Sequence, residues 1–203
     1  MKKDKTGKNL PDLGQLEAEL EREEYKKKYI STFRSTVAFL TVTAAVVVLI
    51  AFLLFPIFRI YGSSMSPTIN AGEIMVSIKD GRFECGDIVV LSYNNKLLVK
   101  RVIAAPGEWV DIDAEGNVYV NGEKIDEPYL QEKAFGDCNI SLPYQVPDGR
   151  FFVMGDNRAT SQDSRSTAVG CIAEEQIVGK ALLRIWPFSE FGVIKQKGAS
   201  VHE

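Results

Sequence analysis

Ser64 lies in GSSMSPT, residues 62–68, a segment bounded by Gly62 and Pro67. A serine can act as a nucleophile when its hydroxyl is exposed, rigidly placed and next to a proton acceptor. A turn held between a glycine and a proline supplies rigidity, although serines in such turns also simply bond their own backbone. The acceptor is the harder requirement. The chain has one histidine, His202, beside its last residue, and a fraying tail makes a poor place for a base. Lysine can take the role if burial disfavours its ammonium and lowers its pKa. In KLLVKRVIA, residues 96–104, strand alternation puts Leu98, Lys100 and Val102 on one face and Val99, Arg101 and Ile103 on the other. Lys100 then has apolar neighbours along its own face, where it is either exposed at a sheet edge or desolvated. A third stretch, GDNRATSQDSR at 155–165, gathers Asp156, Arg158, Asp163 and Arg165 with Asn157, Ser161 and Ser164. Charges at that density form either a fixed hydrogen-bonded network or a solvated loop with weak surface pairs.

The elements that must carry these residues read as strands. EIMVSI (73–78), DIVVLSY (87–93), KLLVKRVIAA (96–105), EWVDID (108–113), NVYVNGEKI (117–125) and GRFFVMG (149–155) are short and rich in Val, Ile and aromatics. Turn pairs such as Asp80-Gly81, Asn94-Asn95, Asn121-Gly122 and Asp148-Gly149 separate them, as hairpins require. The expected fold is mainly β: antiparallel coiled sheets or a small barrel, preceded by one transmembrane helix.

Residues 36–58 carry no charge. As a helix they span roughly 34 Å, enough for a hydrocarbon core of about 30 Å. The run is longer and starts later than the apolar core of a removable signal peptide. Lys26, Lys27, Lys28 and Arg34 precede it and Arg59 follows, which places the N-terminus in the cytoplasm. The expected organisation is a cytoplasmic segment at 1–35, a span at 36–58 and an extracytoplasmic domain at 59–203. Leu13, Leu16 and Leu20 suggest a short solvated or amphipathic helix before the span. With 24 basic and 27 acidic residues, a formal net charge of -3, the chain lacks the basic clustering that nucleic acid demands. Cys85, Cys138 and Cys171 form no metal-type cluster. A Cys138–Cys171 disulfide and three free thiols both remain open.

SSMSPT, KRVIAAPGEWVDI and GDNRATSQDSR, in that order behind one N-terminal apolar span, resemble the type I signal peptidase family in its single-anchor, Gram-positive form; GDIVV at 86–90 belongs to the same match. The resemblance implies a membrane-bound serine endopeptidase with a Ser-Lys dyad and no metal or cofactor. Ser64, immediately before Met65, would be the nucleophile rather than Ser63. Lys100 would be the general base, and Ser161 would orient its amine. Asp156, Arg158, Asp163 and Arg165 would brace the site. The implied substrates are secreted preproteins, cut after a small-x-small pattern such as Ala-x-Ala, at a membrane whose lipid holds enzyme and substrate together. The signal peptide would add as a strand between the segment leading into Ser64 and the strand of Lys100, with Met65, Ile69, Leu98 and Val99 lining its pockets. The sequence departs from the family at Gly62, where some members have a serine that supplies a second oxyanion donor. It departs also at Cys85 and at Ala104-Ala105. The rival reading is a catalytically silent assembly factor for surface proteins, which would be expected to lack the serine or the lysine.

Overall fold

The computed structural model of the protein describes residues 12–79 and 81–194; His202 and Asp80 lie outside them. The polar arm and the apolar run form one continuous helix, α1 (Leu13–Leu54). The sequence pattern predicts two elements here, but no glycine or proline interrupts residues 15–55, so nothing breaks the backbone ladder between them. Asp12 caps the start, its carboxylate accepting the Leu13 N–H. The helix stops before Pro56, which has no N–H to donate and disfavours helical geometry at Phe55. Residues 57 and 58, expected inside the span, therefore belong to a strand, β1 (Ile57–Arg59). α1 is long and apolar enough to cross a membrane. Up to Ala51 it belongs to one compact unit, and the chain from Phe52 onward forms another.

The second unit is mainly antiparallel β. Its main sheet runs in the order β1, β2 (Ile74–Ile78), β11 (Ile177–Trp186), β3 (Ile88–Tyr93), β4 (Lys96–Ala104), β9 (Arg150–Met154), β10 (Ile172–Ala173), with β12 (Gly192–Val193) on β11. A smaller sheet has the order β7 (Glu123–Lys124), β6 (Val118–Val120), β5 (Trp109–Ile112), β8 (Tyr144–Gln145). Seven of these strands, β2 to β7 and β9, fall within the six segments that composition and turn residues mark. β11, the longest, does not announce itself. Gly179 and Lys180 break its apolar run, and two register shifts against β2 interrupt its period. Asn94 and Asn95 both take positive φ, 47° and 61°, which is what the two-residue hairpin between β3 and β4 requires.

That hairpin fixes the register that pairs Val90 with Val99 and Val89 with Lys100. β4 passes between β3 and β9 and is buried from Val99 onward. Val99 packs with Met65, Ile69, Met75 and Ile88. Val102 joins Val89, Leu91 and Val153, and Ile103 joins Val110, Ile112 and Phe152. β9 pairs with β4 only at Arg101, Val102 and Ala104. Residues 96–99 are therefore hydrogen-bonded to β3 on one side and have an open edge on the other, among the described residues.

All three cysteines are free thiols. Burial pushes the Cys85 thiol up to about 12 and the Cys171 thiol up to about 11, so neither is a ready nucleophile.

Gly179 of β11 lies against the Ile78 carbonyl, where an added Cβ would overlap it. Gly179→Ala is expected to lower the unfolding free energy by about 1–3 kcal/mol through overpacking, as read by denaturant titration of the detergent-solubilised protein.

Candidate active site

The Ser64 turn is built from its own backbone. Gly62 takes a φ of 92°, a conformation that suits glycine. Ser66 N–H donates to Ser63 O, and Ile69 N–H donates to Met65 O. Met65 and Ile69 bury their side chains in the core below, which leaves Ser64 half-buried at the surface of the turn. Ser64 O accepts the Asn157 N–H at 3.0 Å, so the turn is tied to the 155–165 loop. Gly155 makes the tie possible. A side chain there would collide with both Ser64 O and Ser161 Oγ. Ser64, Ser161 and Lys100 thus converge on one glycine, because Lys100 Nζ donates to Ser161 Oγ at 2.9 Å. Among the described residues the Ser64 hydroxyl and backbone N–H have no hydrogen-bond partner, so both are available to a bound peptide.

Lys100 is 3 % exposed. Burial lowers its pKa to about 8, against an opposing pull from the Asp163 carboxylate. The surrounding charges explain why the carboxylates do not keep its pKa at the ordinary lysine value. Each is matched to a guanidinium. Arg101 meets Asp156 with two bonds, 2.9 and 2.7 Å. Arg165 meets Asp163 with two, 2.8 and 2.9 Å. Arg158 pairs with Glu127. All six side chains are buried. Burial alone would raise the Asp163 pKa, but the Arg165 bonds and the Gly155 N–H keep it below the ordinary carboxylate value. Arg101 also lies over the Tyr129 ring, 3.7 Å from its centre, and Tyr129 donates to Glu127.

A cleft opens at Ser64. Residues 58–62, Ser64 and Met65 form one side, and the open edge of β4 at residues 97–99 forms the other.

The signal peptidase family, peptidase S26, matches this chain over residues 33–186. The chain belongs to that family. It is a peptidase of the signal peptidase I type. Signal peptidase I T of Bacillus subtilis is 36% identical over 181 residues, covering 83% of this chain and 93% of the relative. Signal peptidase IB of Staphylococcus aureus is 44% identical over 155 residues, 66% of this chain and 79% of the relative. A signal peptidase I crystal structure from Enterococcus faecalis V583 aligns with a TM-score of 0.43 at 27% identity, over 49% of this chain and 96% of that one.

Of the residues expected at this signal peptidase site, Ser64, Lys100, Ser161, Asp156, Arg158, Asp163 and Arg165 come together. Met65, Leu98 and Val99 line the cleft. Ile69 does not. It is fully buried in the core under the turn, with Ile60, Met75 and Ile88. Two members of the buried network are not evident from the 155–165 stretch: Arg101 and Glu127, which supply the partners of Asp156 and Arg158. Arg101 sits beside Lys100 in sequence, and the only signal for it is a second cation in an apolar strand. Glu127 lies between β7 and β8, in a segment with no periodicity.

Asp156→Ala would leave the Arg101 guanidinium buried without its partner. A loss of about 3–5 kcal/mol in unfolding free energy is expected, measured by denaturant titration.

Proposed function

We propose that this peptidase removes signal peptides from secreted preproteins with Ser64 as nucleophile and Lys100 as general base. The observation that carries the reading is Lys100: a buried amine whose neighbouring carboxylates are already matched, bonded to a hydroxyl at the glycine that also holds Ser64. An amine with a pKa near 8 is neutral in a useful fraction near neutral pH, as a general base must be. Ser161 takes one amine N–H and leaves the lone pair free to face Ser64. Neutral Lys100 accepts the Ser64 proton as Ser64 Oγ attacks the peptide carbonyl. The Lys100 ammonium then protonates the leaving amine, and the acyl-enzyme is hydrolysed by water that Lys100 activates. The Ser64 N–H, free of other partners, donates to the oxyanion.

The open edge of β4 at residues 97–99 supports binding of the signal peptide's extended end as an added strand. Met65, Leu98 and Val99 would receive alternate small side chains, the basis for cleavage after Ala-x-Ala. α1 would cross the membrane once with the N-terminus in the cytoplasm, which leaves the β unit outside. Exposed Phe188, Phe191 and Val193 offer that unit apolar surface for lipid. Sharing a membrane with the substrate raises the effective concentration of each for the other.

Cleavage of a preprotein bearing an Ala-x-Ala site is expected from the wild-type protein in detergent and not from Ser64→Ala or Lys100→Ala, with both variants folded by circular dichroism. Turnover retained in folded Lys100→Ala would remove it as the base. The active form of Lys100 is the deprotonated one. Its fraction rises with pH up to its pKa, so kcat/KM should climb about tenfold per pH unit below the midpoint near 8 and level off above it. A flat profile from pH 6 to 10 would contradict this base.

A further inference from the structure

Thr68 ends the motif that contains Ser64, and it is held from two sides. Its hydroxyl donates to Asp156 Oδ2 at 2.5 Å, which attaches it to the buried Arg101–Asp156 pair. Its carbonyl accepts from Arg184 Nη2 at 2.6 Å. Arg184 belongs to β11, far along the chain, and its side chain is only 15% exposed. The guanidinium is itself fixed. Its Nε lies 2.8 Å from Glu73 Oε2 as an ion pair, and neither atom has a hydrogen-bond partner. Its Nη1 pairs with Glu190. Two nitrogens of one planar fork therefore donate to acceptors while the third sits beside the Glu73 carboxylate, a geometry that a lysine ammonium on its flexible stem does not reproduce.

We propose that Arg184 is a positioning residue for the nucleophilic turn: by holding the Thr68 carbonyl, it keeps Ser64 in place against Lys100. The inference rests on Ser64 being the nucleophile. The turn is short, and beside the packing of Met65 and Ile69 in the core its hydrogen bonds to the rest of the fold are few. Asn157 bonds Ser64 O, Asp156 bonds the Thr68 side chain, and Arg184 bonds the Thr68 backbone. The first two ties come from the 155–165 loop. Arg184 supplies an anchor from β11, so it resists a displacement that the loop alone would follow. Attack on a peptide carbonyl is sensitive to such displacements, since about 1 Å of misplacement can cost about 100-fold in rate.

Arg184→Met alone would strand Glu73, which is 4% exposed, as an unpaired carboxylate. The comparison is therefore made in a Glu73→Gln background, with the full chain in detergent cleaving an Ala-x-Ala preprotein. Relative to that background, adding Arg184→Met is expected to lower kcat by about 10- to 100-fold, with KM changed by no more than about 2-fold. The pH midpoint set by Lys100 should stay where it is. Arg184→Lys keeps a cation for Glu73 and is expected to show a smaller loss of kcat. A purely structural Arg184 would instead lower the Tm and leave the kcat of the folded protein unchanged. Background-level kcat in the folded double variant would overturn the proposal, as would a pH midpoint that moves with the rate. If the double variant does not fold, wild-type kcat in Arg184→Lys overturns it. Ser64→Ala run alongside keeps the two questions apart: if that variant still cleaves, the nucleophile assignment fails, whatever Arg184 does.

Discussion

The candidate site is organised around one buried amine whose pKa is lowered among six buried charges. A lysine surrounded by carboxylates would ordinarily be held as an ammonium. Here Asp156, Asp163 and Glu127 each have a guanidinium within hydrogen-bond reach. The three pairs cancel within the cluster, and Lys100 is left with a hydroxyl for a partner. Desolvation then governs its protonation. The arrangement costs folding energy, since burying ion pairs gains little against an apolar core. Its return is electrostatic, in the proton affinity of the amine at the centre.

The fold serves that requirement through β4. A central strand buried on both faces puts Lys100 and Arg101 under the same cover while pointing them in opposite directions. Lys100 reaches Ser161, and Arg101 reaches Asp156. One loop after β9 supplies both partners. Gly155 lets that loop approach the Ser64 turn within contact distance. Where β9 ends its pairing with β4, the same strand offers its edge. One strand therefore carries the amine and also presents the open edge of the cleft.

Much of this was legible in the sequence, for identifiable reasons. Short apolar runs bounded by turn residues, such as residues 88–93 and 150–154, form strands where the composition puts them. The Ser64, Lys100 and 155–165 stretches were each recognisable by residue type. Their convergence came only through the family resemblance, because it depends on a glycine contact and on pairings across 55 and 61 residues of chain. Ion-pair partners were hidden for the same reason: Glu127 has no periodicity to mark it. Ile69 misled because an apolar residue near a nucleophile reads equally well as pocket or core, and turn geometry decides between them. β11 was obscured by Gly179 and Lys180, both tolerated because the strand is held by β2 on one side and β3 on the other. The apolar run also read past Pro56, where the backbone changes from helix to strand.

The burial of the three ion pairs has a further consequence. Their side chains are 0–1% exposed. Mobile ions screen charges at the surface over roughly 10 Å at 0.1 M salt but act far less on pairs sealed from solvent. The field at Lys100 is thus set by fixed groups of the protein and is insulated from the ionic strength of the medium. A basicity tuned in this way travels with the fold from dilute to concentrated surroundings.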